Sequence, residues 1–183
     1  LAPAAAHLSC LAIDTAVRLC IQHSLFSAPS LFSQLIGLAP SVPAASLPSL
    51  ADAVVLLLLR QQAPDEAAAV ASLHPLISLA EARPAAVPHI LQRAKSALLI
   101  GRKGRGEEEE EKKRSRQHWL LFRPFFLHCL TEQRKGDGQQ QQQWAEKVHS
   151  LLVTLALDDR CGCPREILRL LLSLLSVYPL SGL

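Results

Sequence analysis

Apolar stretches with a helical period recur in pairs along this chain, opening near Ala5, Leu47, Val87 and Trp144, with prolines or glycines marking the turns between them. Residues repeating every three or four positions lay one apolar stripe along an α-helix, and such a stripe must be buried against another element. In the first stretch Leu8, Leu11, Ala12, Thr15 and Leu19 follow that period while Asp14, Arg18 and Gln22 fall opposite, which predicts an amphipathic helix over residues 5–23. Pro29 opens a short second helix through Ile36, and Gly37 stands where a left-handed cap would end it.

The next pair follows the cluster Pro40, Pro43 and Pro48, with Pro48 in the first turn of a helix that continues over 51–60. Pro64, Asp65 and Glu66 put a proline and two carboxylates at the start of its partner, where unpaired N–H groups favour negative charge. That partner runs toward Glu81, and Pro75 is expected to kink or split it near His74. A third pair starts around 84–88 and continues through Ile90, Leu91, Ala94 and Leu98 to Gly101, its partner being delayed to 118–132 with a break at Pro124. Residues 101–116 are almost wholly Gly and charged side chains and read as a flexible insertion, since they offer little to bury against their ordering entropy. A Gln-rich loop over 135–143 precedes the fourth pair, 144–157 and 165–177, joined by a turn at 158–164. The expected organisation is therefore helical hairpins over 1–100, a charged insertion over 101–116, and further hairpins over 117–183.

With 49% hydrophobic and 19% charged residues, the chain reads as folded rather than disordered. Only 4% of residues are aromatic and Met is absent, so the core must come from Leu, Ala, Val and Ile, which suits an all-α fold better than a sandwich of strands. Five cysteines without a repeating spacing do not form a disulfide framework and point to a reducing compartment. The strongly apolar run 53–59 is far shorter than the roughly 18–20 residues of a membrane span, so no membrane partner is expected. A first residue of Leu rather than Met suggests a fragment of a longer protein, and Asp14 and Arg18 within the first apolar stretch argue against a signal peptide.

The pairs open at intervals of about 40 residues, the last interval being longer by the size of the insertions. With prolines and acids at helix starts and Leu/Ala-rich inner faces, the chain resembles HEAT and armadillo helical repeat proteins. That resemblance implies antiparallel hairpins stacked as an α-solenoid; irregular hairpins in a compact bundle are the alternative. The Leu/Ala/Pro-rich texture broken by charged insertions is similar to the large subunits of the Integrator complex, which implies a nuclear scaffold in RNA processing or transcription.

Among candidate sites, Lys112, Lys113, Arg114 and Arg116 look like a nuclear import signal, because a flexible run of cations suits an acidic receptor groove. A solvated loop whose charges cancel is the competing reading. Direct nucleic-acid binding is less favoured, since the glutamates at 107–111 repel phosphate and the net charge is only +3. Ser115, between two arginines, is a candidate for phosphorylation. Cys161 and Cys163, even with Cys129, His128 and His149, lack the second ligand pair of a zinc site and read as a turn between helices, so no metal is assigned. Trp119, Phe122 and Phe126 share one helical face, as a core anchor or an interface. Leu56 and Leu171 are assigned to the core, where Asp would unfold the hairpin.

No G-x-S-x-G, P-loop or H-E-x-x-H motif occurs, and no catalytic residue or cofactor is assigned. The expectation is a non-enzymatic protein–protein interaction scaffold, nuclear or alternatively cytoplasmic, whose partners are other subunits of a complex and an import receptor. The alternatives are a nucleic-acid-binding segment acting through 102–116 and a cytoplasmic trafficking or adaptor solenoid.

Overall fold

The computed structural model describes residues 28–60, 74–101, 108–131 and 139–177, together with the single positions Ala12 and Thr15. Among these the regular elements are helices, and the one β-type pairing is an isolated antiparallel bridge between Leu99 and Cys161. Over the described residues the fold is all-α, as the composition favours. The helices expected over 5–23 and from Pro64 lie outside the described residues, apart from Ala12 and Thr15, which are helical. The chain divides into two compact units, 1–94 and 95–183.

In the first unit, α1 (Ala28–Leu38) begins with Pro29 in its first turn and buries Leu31, Phe32 and Leu35. Gly37 does not cap it. The glycine keeps an ordinary helical backbone, and the helix tightens only afterwards into a 3-10 turn, Ala39–Ser41. A second 3-10 turn, Ala44–Ser46, feeds α2 (Leu47–Arg60), which packs on α1. Leu50, Val54, Leu57 and Leu58 are buried, each contributing about 1.5–3 kcal/mol of hydrophobic stabilisation. The assignment of Leu56 to the core is corrected: it is 47% exposed. At four-residue spacing, Asp52, Leu56 and Arg60 share the outer stripe of α2, and a continuous apolar run cannot indicate which of its members lands there.

Helix α3 (Pro75–Ala82) starts at the proline, with His74 extended just before it and its carbonyl accepting from the Ile77 and Ser78 amides. Pro75 thus opens a helix, where its missing N–H costs nothing. After a 3-10 turn, Pro84–Ala86, the chain enters α4 (Val87–Leu98). Arg83 Nη1 donates to the Pro40 carbonyl at 3.0 Å, and the Arg93 guanidinium grips both oxygens of Asp52, tying α4 to α2. Asp52 raises the Arg93 pKa above its usual value, but the pair is partly solvated and contributes about 0–1 kcal/mol.

The second unit is built on α5 (Glu108–Thr131), α6 (Gln139–Leu157) and α7 (Pro164–Val177), with α6 packed on both of the others. Three sequence expectations are corrected here. The charged insertion is not loop throughout, because α5 already begins at Glu108, ten residues before the start expected from apolar content. Glutamates in the first turn complement the helix dipole, and Glu109 and Glu110 stand four residues before Lys113 and Arg114, the favourable order for helical ion pairs. Pro124 lies inside α5 without ending it. The roughly 3 kcal/mol that an interior proline costs is outweighed by Phe122, Phe125 and Phe126, all fully buried on either side. Finally, residues 139–143 are helical, since Gln is a good helix former and Gln142 Nε2 donates to Glu146 Oε1 one turn on.

Candidate functional site

The stripe Trp119, Phe122, Phe126 and Cys129 runs down the buried face of α5, and one turn earlier it reaches Ser115, only 3% exposed. The rings of Trp119 and Phe122 lie 5.8 and 6.1 Å from that of Phe126, offset as aromatic quadrupoles prefer. These aromatics are therefore core anchors, and the interface reading of the same face is corrected. Trp144, on the exposed-to-core boundary of α6, is half-buried.

Helical geometry then distributes the basic run. Ser115 points inward, Lys113, Arg114 and Arg116 are exposed, and Lys112 is half-buried. Ser115 Oγ donates to the Leu98 carbonyl at 2.8 Å and lies 3.8 Å from Cys163 Sγ. Its role as a phosphorylation acceptor is corrected accordingly, because a kinase needs an accessible hydroxyl. One turn on, His118 Nδ1 lies 3.0 Å from the Ala97 carbonyl and donates to it, and on the opposite flank Arg116 Nε approaches Glu166 Oε1 at 3.7 Å. The basic run is thus seated by its uncharged member, with Lys113, Arg114 and Arg116 turned to water.

Beneath Ser115 lies the turn that sequence reading treated as a mere connection. Asp158 accepts from the Arg160 amide and from Arg160 Nη2, both at 2.9 Å, and these bonds hold its carboxyl below the usual carboxylate range. The Cys161 amide donates to the Asp158 carbonyl at 2.9 Å, the Gly162 amide to Leu98 at 3.3 Å, and the Ile100 amide to Arg160 at 2.8 Å. A Cβ on Gly162 would stand 2.4 Å from Ser115 Cβ, so glycine is required there by close approach. A cleft of about 200 Å³ opens beside this contact, between Ser96, Ile100, Glu111, Arg114 and His118.

The flanking cysteines are reduced and unlike each other. The neighbouring Cys163 thiol lowers the Cys161 pKa to about 7, while the proximity of Cys161, with burial, raises that of Cys163. Cys129, buried in the aromatic stripe, is pushed up to about 12 by desolvation. Among the described residues no three His, Cys, Asp or Glu side chains gather as metal ligands, so Cys161 and Cys163 are not joined by Cys129, His128 or His149. No described helix is long and apolar enough to cross a membrane.

Sequence reasoning missed the Ser115–Gly162 contact. The signal was present: stepping back one turn from Trp119 along its own stripe reaches the one small uncharged residue of the basic run. Comparison of the chain with protein-family models, with curated proteins and with solved structures gave no match.

Proposed function

We propose that this chain is a non-enzymatic protein–protein interaction scaffold, with its helical hairpins stacked as a HEAT-like α-solenoid in a larger nuclear complex that serves RNA processing or transcription. The observation that carries the reading is a set of large apolar side chains left in water on α6 and α7: Leu157 at 79%, Leu172 at 62%, Leu168 at 46% and Val153 at 36% exposure. On each helix the two lie four residues apart, one turn, on the side away from the buried Leu152, Leu155, Ile167 and Leu170. Helices that bury one stripe and expose a second apolar one suit a surface that receives another chain. The packing of α6 on its sequence neighbours fits a stack of hairpins. For nuclear import, the support is the exposure of Lys113, Arg114 and Arg116 beside half-buried Lys112.

The test is to express the chain fused to a fluorescent protein, with Lys112, Lys113, Arg114 and Arg116 replaced by Ala, and to recover partners from nuclear extract with and without nuclease. Nuclear accumulation of the parent, its loss in the variant, and nuclease-resistant recovery of a constant set of proteins support the reading. A parent that stays in the cytoplasm sinks the nuclear assignment. Recovery abolished by nuclease replaces the scaffold with a nucleic-acid-binding segment.

A further inference from the structure

We propose that the outer face of α7 docks an amphipathic helix of a partner protein, one that carries carboxylates beside its apolar stripe. The proposal rests on the scaffold reading and gives the partner its chemistry. On α7 the exposed residues Arg165, Leu168, Arg169 and Leu172 stand at i, i+3, i+4 and i+7, so they form one strip over two turns. Within it the arginines lie one turn apart in one row, and the leucines, 46% and 62% exposed, form a second row beside them. The leucine row borders half-buried Leu171, and the arginine row borders half-buried Glu166. Glu166 is the one acid of α7, and Arg116 of α5 approaches it at 3.7 Å, which brings a third exposed cation to that side. The strip itself thus couples an apolar row to two positive charges and holds no negative one.

That charge pattern selects the occupant. A helix laid along the strip seats its own apolar side chains against Leu168 and Leu172, and carboxylates one turn apart meet the guanidinium forks of Arg165 and Arg169. A second copy of α7 does not answer the pattern. Related by a twofold axis, two such strips set arginine against arginine when antiparallel and arginine against leucine when parallel, with a carboxylate in neither case. A phosphate backbone answers the arginines and leaves the leucines in water. A lipid surface calls for a broad apolar face, whereas Ile167 and Leu170 of α7 are already buried in the core.

The experiment is fluorescence anisotropy with the full chain and a labelled helical peptide of about 18 residues, five turns, carrying Leu and Glu in adjacent rows at four-residue spacing. A second peptide has Lys for every Glu. The Glu peptide is expected to bind, less tightly as salt rises, and the Lys peptide about tenfold or more weakly. Arg165→Glu combined with Arg169→Glu is expected to invert that order, a rescue that an unfolded protein cannot produce. No preference for the Glu peptide in the parent, or a preference that the double variant leaves unchanged, overturns the proposal. So does tighter binding of the parent to a single-stranded RNA oligonucleotide or to phosphatidylserine vesicles than to the Glu peptide. Recovery of the same nuclear proteins by the parent and by the double variant keeps the scaffold reading and removes this strip from it. A parent that recovers no constant set removes the scaffold reading and, with it, the proposal.

Discussion

Two glycines in this chain look alike in sequence and have opposite physical roles. Gly37 sits in an exposed stretch of α1 with no atom within 4 Å of an added Cβ, so Gly37→Ala is expected to stabilise the protein by up to about 1 kcal/mol, through helix propensity and lost unfolded-state entropy. Gly162→Ala drives its methyl to 2.4 Å from Ser115 Cβ and is expected to cost about 1–3 kcal/mol. Urea denaturation of the two variants separates them, and a Gly162→Ala midpoint equal to the parent's would contradict the close approach. The thiols divide in the same manner. A thiolate is the reactive form, so native alkylation at Cys161 should be slow below pH 7 and rise as pH passes its pKa of about 7, while Cys129, raised to about 12, stays protonated across that range. Equal rates at the two positions, peptide by peptide, would count against this difference between the thiols.

At the scale of the element, α2 and α5 show how a helix selects its buried face. Asp at Val54, fully buried, leaves a charge without solvent and should cost several kcal/mol, about 3 or more, whereas Leu56→Asp on the outer stripe should remain within about 1 kcal/mol of the parent. Thermal melts of the two variants check the register of α2, and an unfolded Leu56→Asp would place that residue back in the core. Leu171, half-buried on α7, falls between these extremes. In α5 the interior proline withholds an amide from the carbonyl one turn before it, so Pro124→Ala should raise stability by about 1–3 kcal/mol wherever the axis is straight enough to form the restored bond. A drop on denaturant unfolding would mean that the aromatic packing depends on a bend at that proline.

For the molecule as a whole, the scaffold reading separates surface from stability. Leu157→Arg and Leu172→Arg change side chains that are mostly in water, so the melting curve should move little, within about 0.5 kcal/mol, while partner recovery falls. Recovery that is unchanged in the double variant would remove this surface from the proposed interface. The basic run 112–116 belongs to the same scale. Its cations project from a helix whose seat, Ser115, lies against a neighbouring turn, so reading it as an extended peptide requires α5 to unwind over that contact.

The sequence by itself determined the class of structure and most element positions. Leu-rich stripes of helical period allow little else, and Pro48, Pro75 and Pro164 mark helix starts because a first-turn residue needs no amide. That Trp119, Phe122 and Phe126 share one helical face was legible from their spacing, and the structure buries that face. Where helices begin and which apolar residues stay outside was decided by tertiary structure. The acidic and Gln-rich starts of α5 and α6 carry no apolar signal, and helix propensity extends them only because their later turns are anchored in the core. Leu56 and Leu57 are chemically identical, and the packing of α1 and α3 against α2 distinguishes the exposed one from the buried one. The contact of Ser115 with the Cys161–Cys163 turn joins residues more than forty positions apart. Local pattern cannot encode it, because the close approach exists only after α5 and α7 have folded onto α6.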